Sequence, residues 1–152
     1  MITPASIKKH PIHVMLISFP IGLWAFSLVC DLVHFLGWGG AEWETVAYFT
    51  MAGGIVTALI AAVPGFIDLL GITEPKLKRI GLFHMILNLT IVALYVVNLF
   101  IRRGALPADG KLPLILSIIS IALLLVSGWL GGELVHVYRV SVAEPAGSAP
   151  RI

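Results

Sequence analysis

Charge is what this chain has least of: Asp, Glu, Lys and Arg make up 12% of its 152 residues, about half the share of an ordinary soluble domain. So few charges cannot cover a water-facing surface, which excludes a soluble enzyme domain. A hydrophobic share of 59% likewise excludes a disordered chain. Cysteine is almost absent, and the single Cys30 has no internal partner, which excludes a disulfide scaffold. There is no His-Glu-x-x-His sequence and no set of Ser, His and Asp that suggests nucleophilic catalysis. No inverted repeat or pair of broken helices is present, which leaves alternating-access transport by one copy without machinery.

What is present is long apolar runs. The intervals free of charge hold 21 residues between Lys9 and Asp31, 23 between Glu44 and Asp68, 22 between Arg79 and Arg102, and 21 between Lys111 and Glu133. Each matches the roughly 20 residues needed to cross a bilayer as a helix. Backbone groups in lipid must be satisfied within a segment, so the pattern predicts an all-α polytopic integral membrane protein, an antiparallel bundle of four transmembrane helices. The expected spans are about 11–33, 45–69, 80–101 and 112–136. Together they form a single domain over 1–142, followed by a disordered tail over 143–152. Lys8 and Lys9 precede a run too long for a signal peptide, without a cleavage site, so the first span is read as retained. Pro20 is expected to bend it, and Thr73-Glu74-Pro75 reads as a helix start.

Lys and Arg divide seven against three. Lys8, Lys9, Lys76, Lys78, Arg79, Arg139 and Arg151 fall on the side of the termini and the second loop, and Arg102, Arg103 and Lys111 on the other. The positive-inside rule then places both termini in the cytoplasm. The net charge of +2 is a topology signal and gives no reason to expect nucleic acid.

Alternate threading gathers the polar residues at that cytoplasmic level: His10 and His13 on the first helix, Asp68 at the end of the second, His84 on the third, Glu133 and His136 at the end of the fourth. His34 alone falls at the far face. His13 lies four residues beyond Lys9 and His84 five beyond Arg79, so each sits roughly 6–8 Å inside its flanking charge. The two imidazoles are expected to face each other. On the third helix His84, Asn88, Tyr95, Asn98 and Arg102 recur at helical spacing, a polar stripe that should turn from lipid. Gly54, Ala58, Ala61 and Gly65, with Ser120, Ser127, Gly128, Gly131 and Gly132, supply small faces, which serve close helix packing or leave room for a flat macrocycle.

Two imidazoles at matched depth on separate helices, apolar walls, and cations at the rim are what a b-type haem requires. His13 and His84 are the expected ligands. His10 is the shallower alternative, a propionate partner or a surface residue. Phe19, Phe83 and Trp129 are the expected walls, and Lys9 and Arg79 lead the rim cations. The same region, with Asp68, Glu133 and His136 added, also suits a bare iron or zinc ion. Asp68 is a candidate for fixing an imidazole tautomer. Against these stands a purely structural role, as an accessory subunit of a larger respiratory or photosynthetic membrane complex. In that role the helix-end histidines do no more than cap or hydrogen-bond carbonyls.

His10-Pro11-Ile12-His13, Phe19-Pro20-Ile21-Gly22, Asp31, Gly65-Phe66-Ile67-Asp68, His84 with Asn88, and Gly128-Trp129-Leu130-Gly131-Gly132-Glu133-Leu134-Val135 together resemble a bacterial family catalogued as domain of unknown function twenty-two thirty-one. The resemblance covers about residues 8–142. It implies a four-span protein of the bacterial inner membrane. Some relatives are joined to Rieske iron–sulfur or c-type cytochrome domains, which implies electron transfer with a protein partner. His10, His13 and His84 match the family pattern. Val14 stands where relatives commonly have Pro, and the segment from His136 departs from a common Tyr-x-His-x-Val-Gly ending.

Overall fold

The computed structural model describes residues 4–7, 10–106 and 110–140. Four helical stretches are long and apolar enough to cross a membrane: Ile12–Phe35, Ala41–Leu70, Pro75–Arg102 and Leu112–Val137. The first is divided into α1 (Ile12–Leu16) and α2 (Ser18–Phe35). Pro20 explains the break, since it has no N–H to offer the Leu16 carbonyl one turn back. The second and third are α3 (Ala41–Leu70) and α4 (Pro75–Arg102), and the fourth is α5 (Leu112–Gly132) continued by a π-helical turn, Glu133–Val137.

The helix ends follow from local chemistry. Glu74 caps α4, accepting hydrogen bonds from the backbone N–H groups of Lys76 and Leu77 at 3.2 and 3.0 Å, and Pro75 fills the first turn, where no N–H is needed. α2 and α4 both stop at a glycine with positive φ, Gly37 at 71° and Gly104 at 72°. In each case the next N–H turns back to a carbonyl five residues earlier, Trp38 to Val33 and Ala105 to Phe100.

The helices pack antiparallel in a closed ring: α2 lies against α3 and α5, and α4 lies against the same two, so α2 and α4 are diagonal partners. The core is a buried cluster of Trp24, Met51, Ile55, Ile91 and Tyr95. Trp24 stacks on Tyr95 across the diagonal with ring centroids 4.6 Å apart. Gly54 leaves the space that the Trp24 indole fills, and the indole N–H donates to the Met51 carbonyl at 3.3 Å. Between lipid-covered helices it is such close fit, rather than apolar burial, that holds the bundle together.

A short hairpin precedes α1: β1 (Ser6–Ile7) pairs antiparallel with β2 (His10–Pro11). It is tied to the end of α3, because the Ala5 N–H donates to Asp68 at 2.9 Å and Pro4 lies against Gly71. The tail expected over 143–152 lies outside the described residues.

Candidate functional site

His13 on α1 and His84 on α4 meet across the bundle with ring centroids 6.3 Å apart and perpendicular planes. Both rings are held by the same device. His13 Nδ1 lies 2.8 Å from the Ala61 carbonyl on α3, and four residues on, Gly65 leaves room for the ring. A Cβ there would come within 2.7 Å of it. His84 Nδ1 lies 2.9 Å from the Ser127 carbonyl on α5, and four residues on, Gly131 does the same, with its Cβ position 3.0 Å from His84 Cε1. Pro64 helps on the α3 side. It has no N–H for the Ile60 carbonyl one turn back, next to the Ala61 carbonyl that His13 bonds.

A carbonyl can only accept, so in each neutral ring Nδ1 carries the proton and Nε2 keeps its lone pair. Asn88 supports this on the α4 side. Its amide donates to the His84 carbonyl at 2.8 Å and to Ser127 Oγ at 2.7 Å, and it also approaches His84 Nε2 at 3.2 Å. Two amide hydrogens are satisfied by the two shorter contacts, so His84 Nε2 is releasable at little cost. Both imidazoles are therefore oriented by backbone and presented with an acceptor nitrogen, the arrangement in which histidine serves as a metal ligand.

The other expected site residues are placed differently. Asp68 is buried, but it accepts from Ala5 and not from an imidazole; the tautomer-fixing role goes to the Ala61 and Ser127 carbonyls, which the sequence alone could not single out. His10 is exposed on β2, and Arg79 is exposed with its guanidinium over the Phe83 ring at 5.9 Å. Lys9 lies outside the described residues. Glu133 opens the π-helical turn and His136 is exposed near its end. Among the described residues no three His, Cys, Asp or Glu side chains form a metal-holding group, so Asp68, Glu133 and His136 do not join the imidazoles in one. Phe19, Phe83 and Trp129, expected as walls, are each more than half exposed and face outward; the small residues of α3 and α5 flank the rings instead.

Sequence reasoning missed the polar layer at the opposite end. Asp31 on α2 is buried against Arg102 on α4, one guanidinium nitrogen lying 2.7 and 2.8 Å from its two oxygens. Ser117 on α5 donates to the same carboxylate at 2.9 Å. Asn98 accepts from Arg102 Nε at 3.0 Å and donates to the Pro113 carbonyl at 2.8 Å and to Ser117 at 3.1 Å. The available signal was Arg102 itself, which closes the polar stripe of α4. Tyr95 and Asn98 of that stripe are fully buried, as the spacing predicted.

Residues 9–144 match the model of a family described as predicted membrane protein (DUF2231). No curated protein and no solved structure matches the chain. The chain belongs to the DUF2231 family, and is an integral membrane protein whose four spans lie in a lipid bilayer.

Proposed function

Taking that membership as the premise, we propose that the chain is an electron-transfer protein of the bacterial inner membrane that holds one b-type haem between His13 and His84, near a cytoplasmic face on which both termini lie. One observation carries the reading: two imidazoles from diagonally opposed helices face each other at 6.3 Å, each with its tautomer set by a backbone carbonyl. Two neutral imidazoles from separate helices, each with an Nε2 lone pair, are the donor set that would hold a haem iron.

A bound haem supplies one-electron chemistry. The chain's own part is to hold it: the carbonyls of Ala61 and Ser127 orient the ligands, Gly65 and Gly131 give them clearance, and Asn88 releases Nε2 of His84. Among the described residues His10 and Arg79 are the groups at this end for the propionates, and by sequence Lys9 is a further candidate. A protein partner in the membrane exchanges the electron.

Purification in mild detergent after haem-supplemented expression should give a Soret band and a reduced-minus-oxidised difference spectrum. His84→Ala and His13→Ala should each abolish it. A colourless wild-type protein sinks the proposal, and a band that survives His84→Ala refutes the ligand pair. Elemental analysis separates bare iron or zinc on the same imidazoles.

A second reading, an accessory subunit of a larger membrane complex, is favoured by the outer face of α5. Gly128 and Gly132, four residues apart, have nothing within 4 Å of a Cβ position, and Trp129 beside them is 78% exposed. Such a face admits another helix closely. Constant co-purification of a colourless chain with larger partners would support it, and a monodisperse red protein would count against it.

A further inference from the structure

We propose that Tyr95 and Ser120 hold an internal water molecule between α4 and α5, and that this water extends the Asp31–Arg102 network to the middle of the bilayer. Both residues are fully buried, and both hydroxyls lack a hydrogen-bond partner among the described residues. The helix register brings their backbone positions to one level. Asn88 bonds Ser127, and Asn98 bonds Ser117; in the same antiparallel register Tyr95, three residues before Asn98, falls opposite Ser120, three residues after Ser117.

Neither hydroxyl takes the escape open to it in a helix. Thr50, Thr57 and Thr90 each donate to a carbonyl four residues back in their own helix, whereas Ser120 does not. The Tyr95 hydroxyl is too far out on its ring to reach its own backbone, and the ring is stacked on Trp24. Two unpaired hydroxyls in a hydrocarbon interior are each costly. One water bonded to both removes the cost, and polar groups in pairs are what a buried water requires.

The water lies one helical turn inward of Asn98 and Ser117, so it prolongs the network that begins at Asp31 and Arg102. It goes no further. One turn nearer the histidines, α4 and α3 offer Ile91 and Ile55, both buried and apolar. The polar network of the Asp31 end therefore stops at this water, short of the apolar layer. It is independent of the imidazoles.

Infrared spectra of the purified protein in mild detergent, compared in ordinary and oxygen-18 water, test it. An isolated water stretch that shifts with the heavy isotope is expected in the wild type and in His84→Ala, and is expected to vanish in Tyr95→Phe and in Ser120→Ala. Thermal unfolding adds a second readout: each single substitution should lower the midpoint, and the double variant should fall no further than the worse single. Absence of an isotope-sensitive band from the wild type overturns the proposal, as does its persistence in Tyr95→Phe. Single variants as stable as the wild type or more so would mean that the hydroxyls are dry, and overturn it equally.

Discussion

The two polar layers of this bundle are built from similar residue counts and behave as opposites. At the Asp31 end every strong group is spent: Arg102 on Asp31 and Asn98, Asn98 on Ser117 and Pro113, Ser117 on Asp31. The groups come from α2, α4 and α5, and the ion pair is sealed, with both side chains 5% exposed. At the histidine end the rings are half-buried, their Nδ1 atoms are bound to backbone, and each keeps an acceptor nitrogen that no strong bond consumes. A saturated network fastens helices. A network with lone pairs left over has capacity for a ligand.

That contrast can be tested by substitution, beginning where the largest loss is expected. Asp31→Ala leaves the Arg102 charge buried without a partner and should cost about 3–5 kcal/mol in reversible unfolding from mixed micelles. The double change Asp31→Leu with Arg102→Met should recover most of it. A loss below about 1 kcal/mol would show that the pair is not a fastener. Next come the notches. Gly65→Ala should cost about 1–3 kcal/mol and displace His13, with Gly131→Ala smaller because its Cβ position is 3.0 Å from the ring against 2.7 Å at Gly65. Both should weaken haem retention, whereas Asp31→Ala should leave the spectrum of any folded fraction unchanged. Asn88→Leu should cost about 1 kcal/mol while leaving the Soret band in place, since the haem reading needs Asn88 to withdraw. Gly128→Ala, facing open space, should stay within about 0.5 kcal/mol. A large effect there would favour the accessory-subunit reading, with α5 covered by a partner.

The four spans were legible because lipid tolerates so few charges. Two helices nevertheless start earlier than the charge-free intervals, at Ala41 and Pro75 where 45 and 80 were expected. Glu42 and Glu44 lie in the first turn of α3, and Lys76, Lys78 and Arg79 in the first turns of α4: a charge marks the edge of hydrocarbon, not the end of a helix. The meeting of His13 and His84 was legible from depth alone. What each ring bonds was not, since a backbone carbonyl carries no sequence signature. The outward aim of Phe19, Phe83 and Trp129 was hidden for another reason: a helix apolar on all sides does not disclose which side faces its neighbours. Asp31 and Arg102 needed the diagonal relation of α2 and α4, which only the packed bundle supplies.

The bond between Ala5 and Asp68 spans 63 residues of chain, and so bears on the order of assembly. Ala5 is made first, and its acceptor appears only after α1, α2 and nearly all of α3 have been synthesised and inserted. Until then the hairpin that presents His10 and leads into His13 has no anchor. His13 is thus anchored once α3 is in place, before α4 brings His84 and α5 brings the Ser127 carbonyl, so the histidine end closes last around a ring already held.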